Sequence, residues 1–316
     1  MRVLVAPGAF KGTMTAVQAA QRLGREVVGA DVTYLPMADG GDDTAAVLML
    51  HGWTQVTLPS GAVIVKRADV VLVELARICG MGTLTAPDPW GASTWALGEA
   101  LRQVAALQPR EVLLALGGSA STDGGLGLLL GMRGDAFGGG LSGLVEWVSA
   151  GAFIVLPSVP FALTAMADVL RPLCGPTGAA YAFGPQKGLD LDGCRIADEA
   201  LMQWARLLDV DPMVPGTGAA GGTGAAALAL GAHLQSGARA IADMIGLDAA
   251  VKSADLVVTG EGRLDATTLA GKSPMIVIES ALAAGTPVRC VVGQADPQVA
   301  EGLRGRGVDV VVLGSS

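Results

Sequence analysis

Short apolar runs recur along this chain, separated by longer segments whose apolar residues fall at helical spacing. This alternation restricts the chain to folds with a mainly parallel sheet covered by helices. Residues 3–5, 32–35, 70–75, 111–116, 153–156, 256–258, 288–292 and 308–313 read as strands. Between the first two, residues 15–28 carry apolar or small side chains at 16, 19, 20, 23 and 27, which predicts a helix with Thr15 as its N-cap. Residues 43–50 predict a second helix. The expected class is α/β.

A chain of 316 residues has room for one large or two ordinary domains, each with a sizeable core. Hydrophobic residues make up 51% and aromatics only 4%, so Ala, Val and Leu must fill that core, and 46 glycines imply many tight turns or close backbone approaches. A net charge of −8 without a basic run excludes a general nucleic-acid binder, whose affinity rests on Lys and Arg neutralising phosphates. Cys79, Cys174, Cys194 and Cys290 form no CxxC pair, and His51 and His233 are the only histidines. A zinc site or a Ser-His-Asp triad is therefore not expected, and the cysteines read as buried thiols in a reducing cytoplasm. Residues 147–167 are uncharged and long enough to span a bilayer, but Pro157 and Pro160 make them soluble core, a strand with its approaches. The amino terminus meets Pro7 and Lys11 at once and lacks the apolar core of a signal peptide. The expectation is a cytoplasmic protein with no membrane partner.

The densest chemistry lies in Thr259-Gly-Glu-Gly-Arg-Leu-Asp265, followed by Gly271-Lys-Ser-Pro274. The run at 256–258 reads as a buried strand, and Gly260 and Gly262 are expected to turn the chain immediately after it, close to a ligand. Glu261, Arg263, Asp265 and Lys272 then crowd just past a strand end, where open α/β sheets bind ligands.

Two glycine-rich segments call for a reason of their own. Gly117-Gly-Ser-Ala-Ser-Thr-Asp-Gly-Gly125 follows a predicted strand and precedes a helix-like run, so its N–H groups and hydroxyls suit a phosphate cradle. Gly216-Thr-Gly-Ala-Ala-Gly-Gly-Thr-Gly224 offers a second. For either loop, close packing explains the glycines as well as nucleotide binding does. Neither belongs to a Walker A motif, because Gly271-Lys-Ser273 has Ala266 where that motif needs glycine, and no GxGxxG follows the first strand. Lys11, Asp39, Ser119, Asp123, Lys187, Glu261, Arg263, Asp265 and Lys272 are all expected in turns. Phosphoryl transfer needs this mixture: acids for Mg²⁺ and for a hydroxyl proton, cations and amides for phosphate oxygens.

Taken in order, Ala6-Pro-Gly-Ala-Phe-Lys-Gly12, Pro36-Met-Ala-Asp-Gly-Gly41, the 117–125 loop, Phe183-Gly-Pro-Gln-Lys-Gly188, Gly218-Ala-Ala-Gly-Gly-Thr-Gly224 and the 259–265 segment with Gly271-Lys272 resemble the type I glycerate kinase family. The resemblance covers nearly the whole chain. It implies ATP- and Mg²⁺-dependent phosphorylation of D-glycerate, commonly at the 2-hydroxyl. It also implies two α/β domains, one flavodoxin-like with a mainly parallel sheet and one resembling the restriction-endonuclease fold, with the active site in the cleft between them. The expected division is residues 1–60 with 240–316 for the flavodoxin-like domain and 61–239 for the second, since chain ends often lie close together.

Within this resemblance Asp39, Asp265 and Lys11 are the expected catalytic residues. Gly117, Gly118, Ser119, Asp123, Lys187, Gly221 and Gly222 are expected to bind ATP, and Arg263, Glu261 and Lys272 the substrate. Asp123 and Asp39 are the expected Mg²⁺ ligands. The partner is a small molecule, no nucleic acid is involved, and a homodimer is compatible with all of this. The chain departs from the family pattern at Gly8 and Ala9, where Asp-Ser is usual, at Asp42 and Asp43, where Glu-Gly is usual, and at Leu170 and Arg171, where Asp-Asn is usual. The segment at 131–144 is shorter than usual, and the chain stops after 308–313 where a further helix is usual. Two readings stay open: a kinase for glycerate or a related small hydroxy acid, and a relative that binds nucleotide or hydroxy acid with weakened turnover.

Overall fold

The computed structural model describes residues 1–136, 139–167 and 171–314. Its strands, in chain order, are β1 (Arg2–Val5), β2 (Asp31–Tyr34), β3 (Thr54–Thr57), β4 (Val63–Arg67), β5 (Val70–Glu74), β6 (Glu111–Ala115), β7 (Ala162–Ala167), β8 (His233–Ser236), β9 (Leu256–Leu264), β10 (Val288–Ala295) and β11 (Asp309–Val312). They divide between two units, the first made of Met1–Asp39, Ala46–His51 and Ser236–Ser316, the second of Gly40–Ala45 and Gly52–Gln235.

The first unit is built on a five-stranded sheet in the order β11-β10-β9-β1-β2, with every neighbouring pair parallel. Counted within the unit this is the order 2-1-3-4-5 of flavodoxin-like folds, whose strand order reverses between the first and third strands. Here that switch point lies between β1 and β9. Val3, Val5, Val258 and Val291 on the strands and Ala20 and Leu23 on the Ala16–Arg25 helix form a buried cluster. That helix starts as its sequence predicts: Thr15 accepts from the Gln18 N–H at 3.2 Å, and the Gln18 side chain accepts from the Thr15 N–H at 2.9 Å, a reciprocal capping box.

At Gly260 the expected turn is replaced by a straight strand. β9 continues through Gly260, Glu261, Gly262 and Arg263 to Leu264, and Gly260 faces Val291 in the β10 register. A Cβ on Gly260 would stand 1.9 Å from the Val291 carbonyl oxygen, so the glycine admits the neighbouring strand and does not bend its own. Glu261 and Arg263 are accordingly strand residues.

The second unit carries a six-stranded sheet in the order β3-β4-β5-β6-β7-β8. Pairing is antiparallel from β3 to β5 and parallel from β5 to β7. Leu97, Leu101, Leu114, Leu126 and Trp204 belong to its buried core. The strand expected at 153–156 does not form. Phe153 is 79% and Val155 63% exposed, and Pro157 and Pro160, which have no N–H to donate, separate this stretch from β7, whose residue Ala162 donates to the Arg110 carbonyl. Apolar content placed the strand too early. Among the described residues no helix is long and apolar enough to cross a membrane.

Candidate active site

In the first unit, the chain leaves β1 with its hydrogen bonding to β9 unbroken. Ala6 N–H donates to Val258 O and Gly8 N–H to Gly260 O at 2.9 Å, while the Thr259 hydroxyl donates to Ala6 O. Beyond Gly8, the Phe10–Met14 bridge closes a tight turn carrying Lys11. A Cβ on Gly262 would meet Phe10 Cα at 3.3 Å and the Lys11 nitrogen at 3.4 Å, so the Lys11 turn lies directly against β9. The Pro7 carbonyl accepts from the Met37 N–H, which draws the segment leading to Asp39 to the same strand end.

Glu261 is the centre of this arrangement. It is 8% exposed, and its Oε1 accepts a 2.5 Å hydrogen bond from the Thr268 hydroxyl. Burial pushes its pKa up to about 7; the Thr268 bond and the Lys272 charge oppose the rise, and Asp265 and Asp39 add to it. Asp265 has the opposite environment. Its Oδ1 accepts from the Thr267 hydroxyl at 2.6 Å and the Thr267 N–H at 2.9 Å, and these bonds, with Lys272 and Arg263, hold its pKa below the usual carboxylate value. Lys272 Nζ donates to Thr267 Oγ1 at 2.6 Å, and Lys272 is the N-cap residue of the Ser273–Ala284 helix. Arg263 Nε stands 3.5 Å from Asp265 Oδ2 with its side chain 72% exposed. One carboxyl poised near neutrality beside one held ionised is the arrangement that separates acid-base work from charge stabilisation.

In the second unit, the 117–125 loop joins β6 to the Leu126–Arg133 helix. Asp123 is fully buried at the start of that helix. Its Oδ2 accepts from the Thr94 N–H and hydroxyl, each at 2.8 Å, and its Oδ1 from the Gly125 N–H at 3.1 Å. Burial raises its pKa while these bonds and the Gly127 N–H pull it back. The carboxylate's lone pairs are thus spent on fixing the loop, and the donor set does not fit a role as Mg²⁺ ligand. Lys187, expected in a turn, ends the Ala179–Lys187 helix, and its buried ammonium donates to the Ser121 carbonyl and to Ser119 Oγ. Burial lowers its pKa to about 8, with Asp123 and Cys79 acting to raise it. Gly221 and Gly222 stand behind this loop. A Cβ on Gly221 would meet the Ser121 carbonyl at 2.1 Å, and Gly124 N–H donates to Gly221 O at 3.0 Å, so this second glycine run packs against the first and supports it.

Several residues of these clusters carry no strong sequence signal. Thr267 and Thr268 orient Asp265 and Glu261, and a pair of hydroxyls between Asp265 and Lys272 was the trace available. Glu74 ends β5, is 3% exposed, and accepts from the Ala45 N–H at 3.1 Å. Its pKa is pushed up to about 7 by burial, with Asp42 and Asp43 adding and Ala45 and Arg77 opposing. A lone acid closing an apolar run reads as the strand's solvent end. Of the departures from the family pattern, Leu170 lies outside the described residues, and Arg171 stacks over the Phe183 ring at 6.0 Å.

A flavodoxin-like parallel sheet with acids and cations at its switch point, together with a mixed-sheet unit bearing a glycine-rich loop over a buried lysine, defines an α/β enzyme of the kinase class. The sequence profile described as the glycerate kinase family matches residues 3–313. A glycerate kinase of Halalkalibacterium halodurans is 32% identical over 92% of this chain and 85% of its own length. One of Neisseria meningitidis serogroup B is 31% identical over 93% and 85%. The crystal structure of a protein from Salmonella typhimurium LT2, proposed to be glycerate kinase 2, superposes with a TM-score of 0.73 at 30% identity, covering 98% of this chain and 89% of that one. This chain belongs to the glycerate kinase family, and it is a kinase.

Proposed function

We propose that this enzyme phosphorylates D-glycerate with ATP and Mg²⁺ in the cytoplasm, in the manner of type I glycerate kinases, with 2-phosphoglycerate as product. The observation that carries the reading is the pairing of Glu261 with Asp39, Asp265 and Lys272 at the β1/β9 switch point. A hydroxyl attacking a phosphoryl group must lose its proton, and an acceptor works best with a pKa near the operating pH. Glu261 meets that condition, so the role of proton acceptor moves to it from the two aspartates. Asp265, held ionised by Thr267, keeps Lys272 and Arg263 in place for the glycerate carboxylate or the transferred phosphoryl group. Lys11, carried on the turn against Gly262, adds a further cation for the same anionic groups.

Asp39, whose charge reaches Glu261, is the carboxylate we assign to Mg²⁺, which commonly takes one or two protein carboxylates and leaves its other positions to water and phosphate. The ion, when bound, supplies charge neutralisation on the phosphate oxygens. The 117–125 loop, fixed from within by Asp123 and underlain by Lys187, offers backbone N–H groups and a cation to the triphosphate. The test is ADP release coupled to a dye, run with Mg²⁺-ATP across D-glycerate, L-glycerate and related hydroxy acids, with the phosphorylated carbon identified by NMR. Turnover confined to D-glycerate with phosphate on the 2-oxygen is the expected result. Turnover on another hydroxy acid alone would reassign the substrate, and phosphate on the 3-oxygen would reassign the product.

A further inference from the structure

The second unit holds a cavity of about 130 Å³ that the phosphate-loop assignment does not use. It is lined by Met81, Leu84, Pro87 and Asp88 from one stretch of chain and by Ala120, Gln186 and Lys187 from two others. Its walls are tied to the loop: Met81 N–H donates to Gly118 O at 3.0 Å, Ala120 N–H donates to Cys79 O at 3.3 Å, and Gly80 bridges Ser119. The end of the Ala179–Lys187 helix lies near two prolines of the first stretch: a Cβ on Gly188 would meet Pro87 Cβ at 3.4 Å and Pro89 Cδ at 3.5 Å. Met81 and Leu84 are 42% and 37% exposed, so apolar surface is left facing the opening.

Size and polarity select the occupant. A cavity of this volume is well below the roughly 300–1,000 Å³ that encloses a drug-sized ligand, so it accepts one flat ring system and not a whole nucleotide. Met81, Leu84 and Pro87 give the lining apolar surface, and Asp88 and Gln186 give it hydrogen-bonding groups. Lys187, two of whose three N–H donors go to Ser121 O and Ser119 Oγ, lines the cavity beside the glycine loop. A ring placed in the slot has its charged tail beside that loop and that cation.

We propose that this cavity takes the purine base of the nucleotide phosphate donor, with the phosphates running from Lys187 along the 117–125 loop. The inference rests on the kinase reading and deepens it by giving the donor's base a site. The test compares the full-length protein with Ala86→Trp, which fills the slot from its exposed rim, and Leu84→Ala, which removes a wall while leaving the core untouched. ADP affinity is measured by calorimetry, together with KM for ATP and KM for D-glycerate. The expected outcome is a rise of about tenfold or more in the ADP Kd and the ATP KM for Ala86→Trp, a smaller rise for Leu84→Ala, and an unchanged glycerate KM. ADP binding that is weakened by Ala86→Trp in a protein inactive on glycerate would uphold the base site while removing the glycerate reading. Unchanged ADP affinity in a folded Ala86→Trp protein, or in Leu84→Ala should the former not fold, would overturn the proposal, as would a parent protein that binds no ADP.

Discussion

Thr268 donates to Glu261 across a 2.5 Å hydrogen bond, so the buried acid at the end of β9 takes its orientation from a hydroxyl seven positions further on. The bond favours the ionised carboxylate and opposes the burial that raises its pKa. Thr268→Val keeps the shape and removes the donor, and the Glu261 pKa should then rise above its present value of about 7. Since the ionised form accepts the proton, kcat/KM should fall on the acid side of that pKa, and this acid limb should move to higher pH in Thr268→Val. Glu261→Gln should lose about 10²- to 10⁴-fold in kcat above that pKa, and progressively less as pH falls below it and the parent loses its own carboxylate. The pH–rate profiles of the three proteins decide it; a Thr268→Val profile identical to that of the parent removes the proton-acceptor role.

Arg263 gives a prediction that separates binding from stability. Its side chain is 72% exposed and its ion pair with Asp265 is long at 3.5 Å, and exposed pairs of this kind contribute about 0–1 kcal/mol. Arg263→Ala should therefore leave the thermal transition nearly where it is, while raising KM for glycerate by about tenfold or more through loss of a charge-assisted contact. A variant that unfolds early but keeps its substrate affinity in the remaining folded fraction would return Arg263 to a structural role.

How much of this was legible beforehand depends on how local the cause is. Thr15 was readable as an N-cap because its partner Gln18 is three residues away, and the apolar runs that became β1, β2, β9, β10 and β11 were readable as strands of a mainly parallel sheet, whereas the flavodoxin-like arrangement came only with the family resemblance. Gly260 was misread because its reason lies in β10, in a carbonyl of Val291 that no local pattern announces. Phe153 and Val155 misled in the reverse way, as apolar residues that stay exposed. The hairpin of β3 and β4 was passed over because Thr54, Gln55 and Thr57 are mostly polar and Lys66 and Arg67 close the second strand. Among the site residues, charged groups between glycines were visible, whereas the hydroxyls that tune them became visible only through the fold.

Glu74 yields a stability prediction with a definite sign. Its pKa is raised from 4.5 to about 7 in the folded protein, chiefly by burial. The proton is therefore held more tightly in the folded than in the unfolded chain. Its stabilising contribution is complete below about pH 4.5 and is lost as pH rises through 7. Glu74→Gln removes the ionisation while keeping an oxygen for the Ala45 N–H, so it should stabilise the protein at pH 8 by about 1–3 kcal/mol and give little or no gain at pH 5. Denaturant melts at the two pH values test this, and an equal effect at both would show that Glu74 does not titrate between them.

The last prediction turns on Gly8, which stands where the family usually carries an acid. Gly8 does not lie in the left-handed region, and a Cβ added there would meet Ser273 Cβ at 3.5 Å, Pro274 Cδ at 3.7 Å and Gly260 O at 3.8 Å, all ordinary contacts. An aspartate is therefore admitted, and it would face the start of the Ser273–Ala284 helix, where a negative charge is favoured by about 0.3–1 kcal/mol. Gly8→Asp with Ala9→Ser should fold with an unchanged or slightly higher Tm, so its kinetics can be compared directly with those of the parent. If Asp39 and Glu261 between them already supply the acids that transfer requires, the parent is fast, restoring the acid changes kcat/KM by less than about threefold, and Asp39→Asn costs about 3 kcal/mol, on the order of a hundredfold in rate. A slow parent that the double substitution speeds sharply would show that the duty had stayed at position 8. A fast parent indifferent to Asp39→Asn would refute the compensation outright, because the carboxylate assigned to Mg²⁺ would then contribute nothing to the transition state.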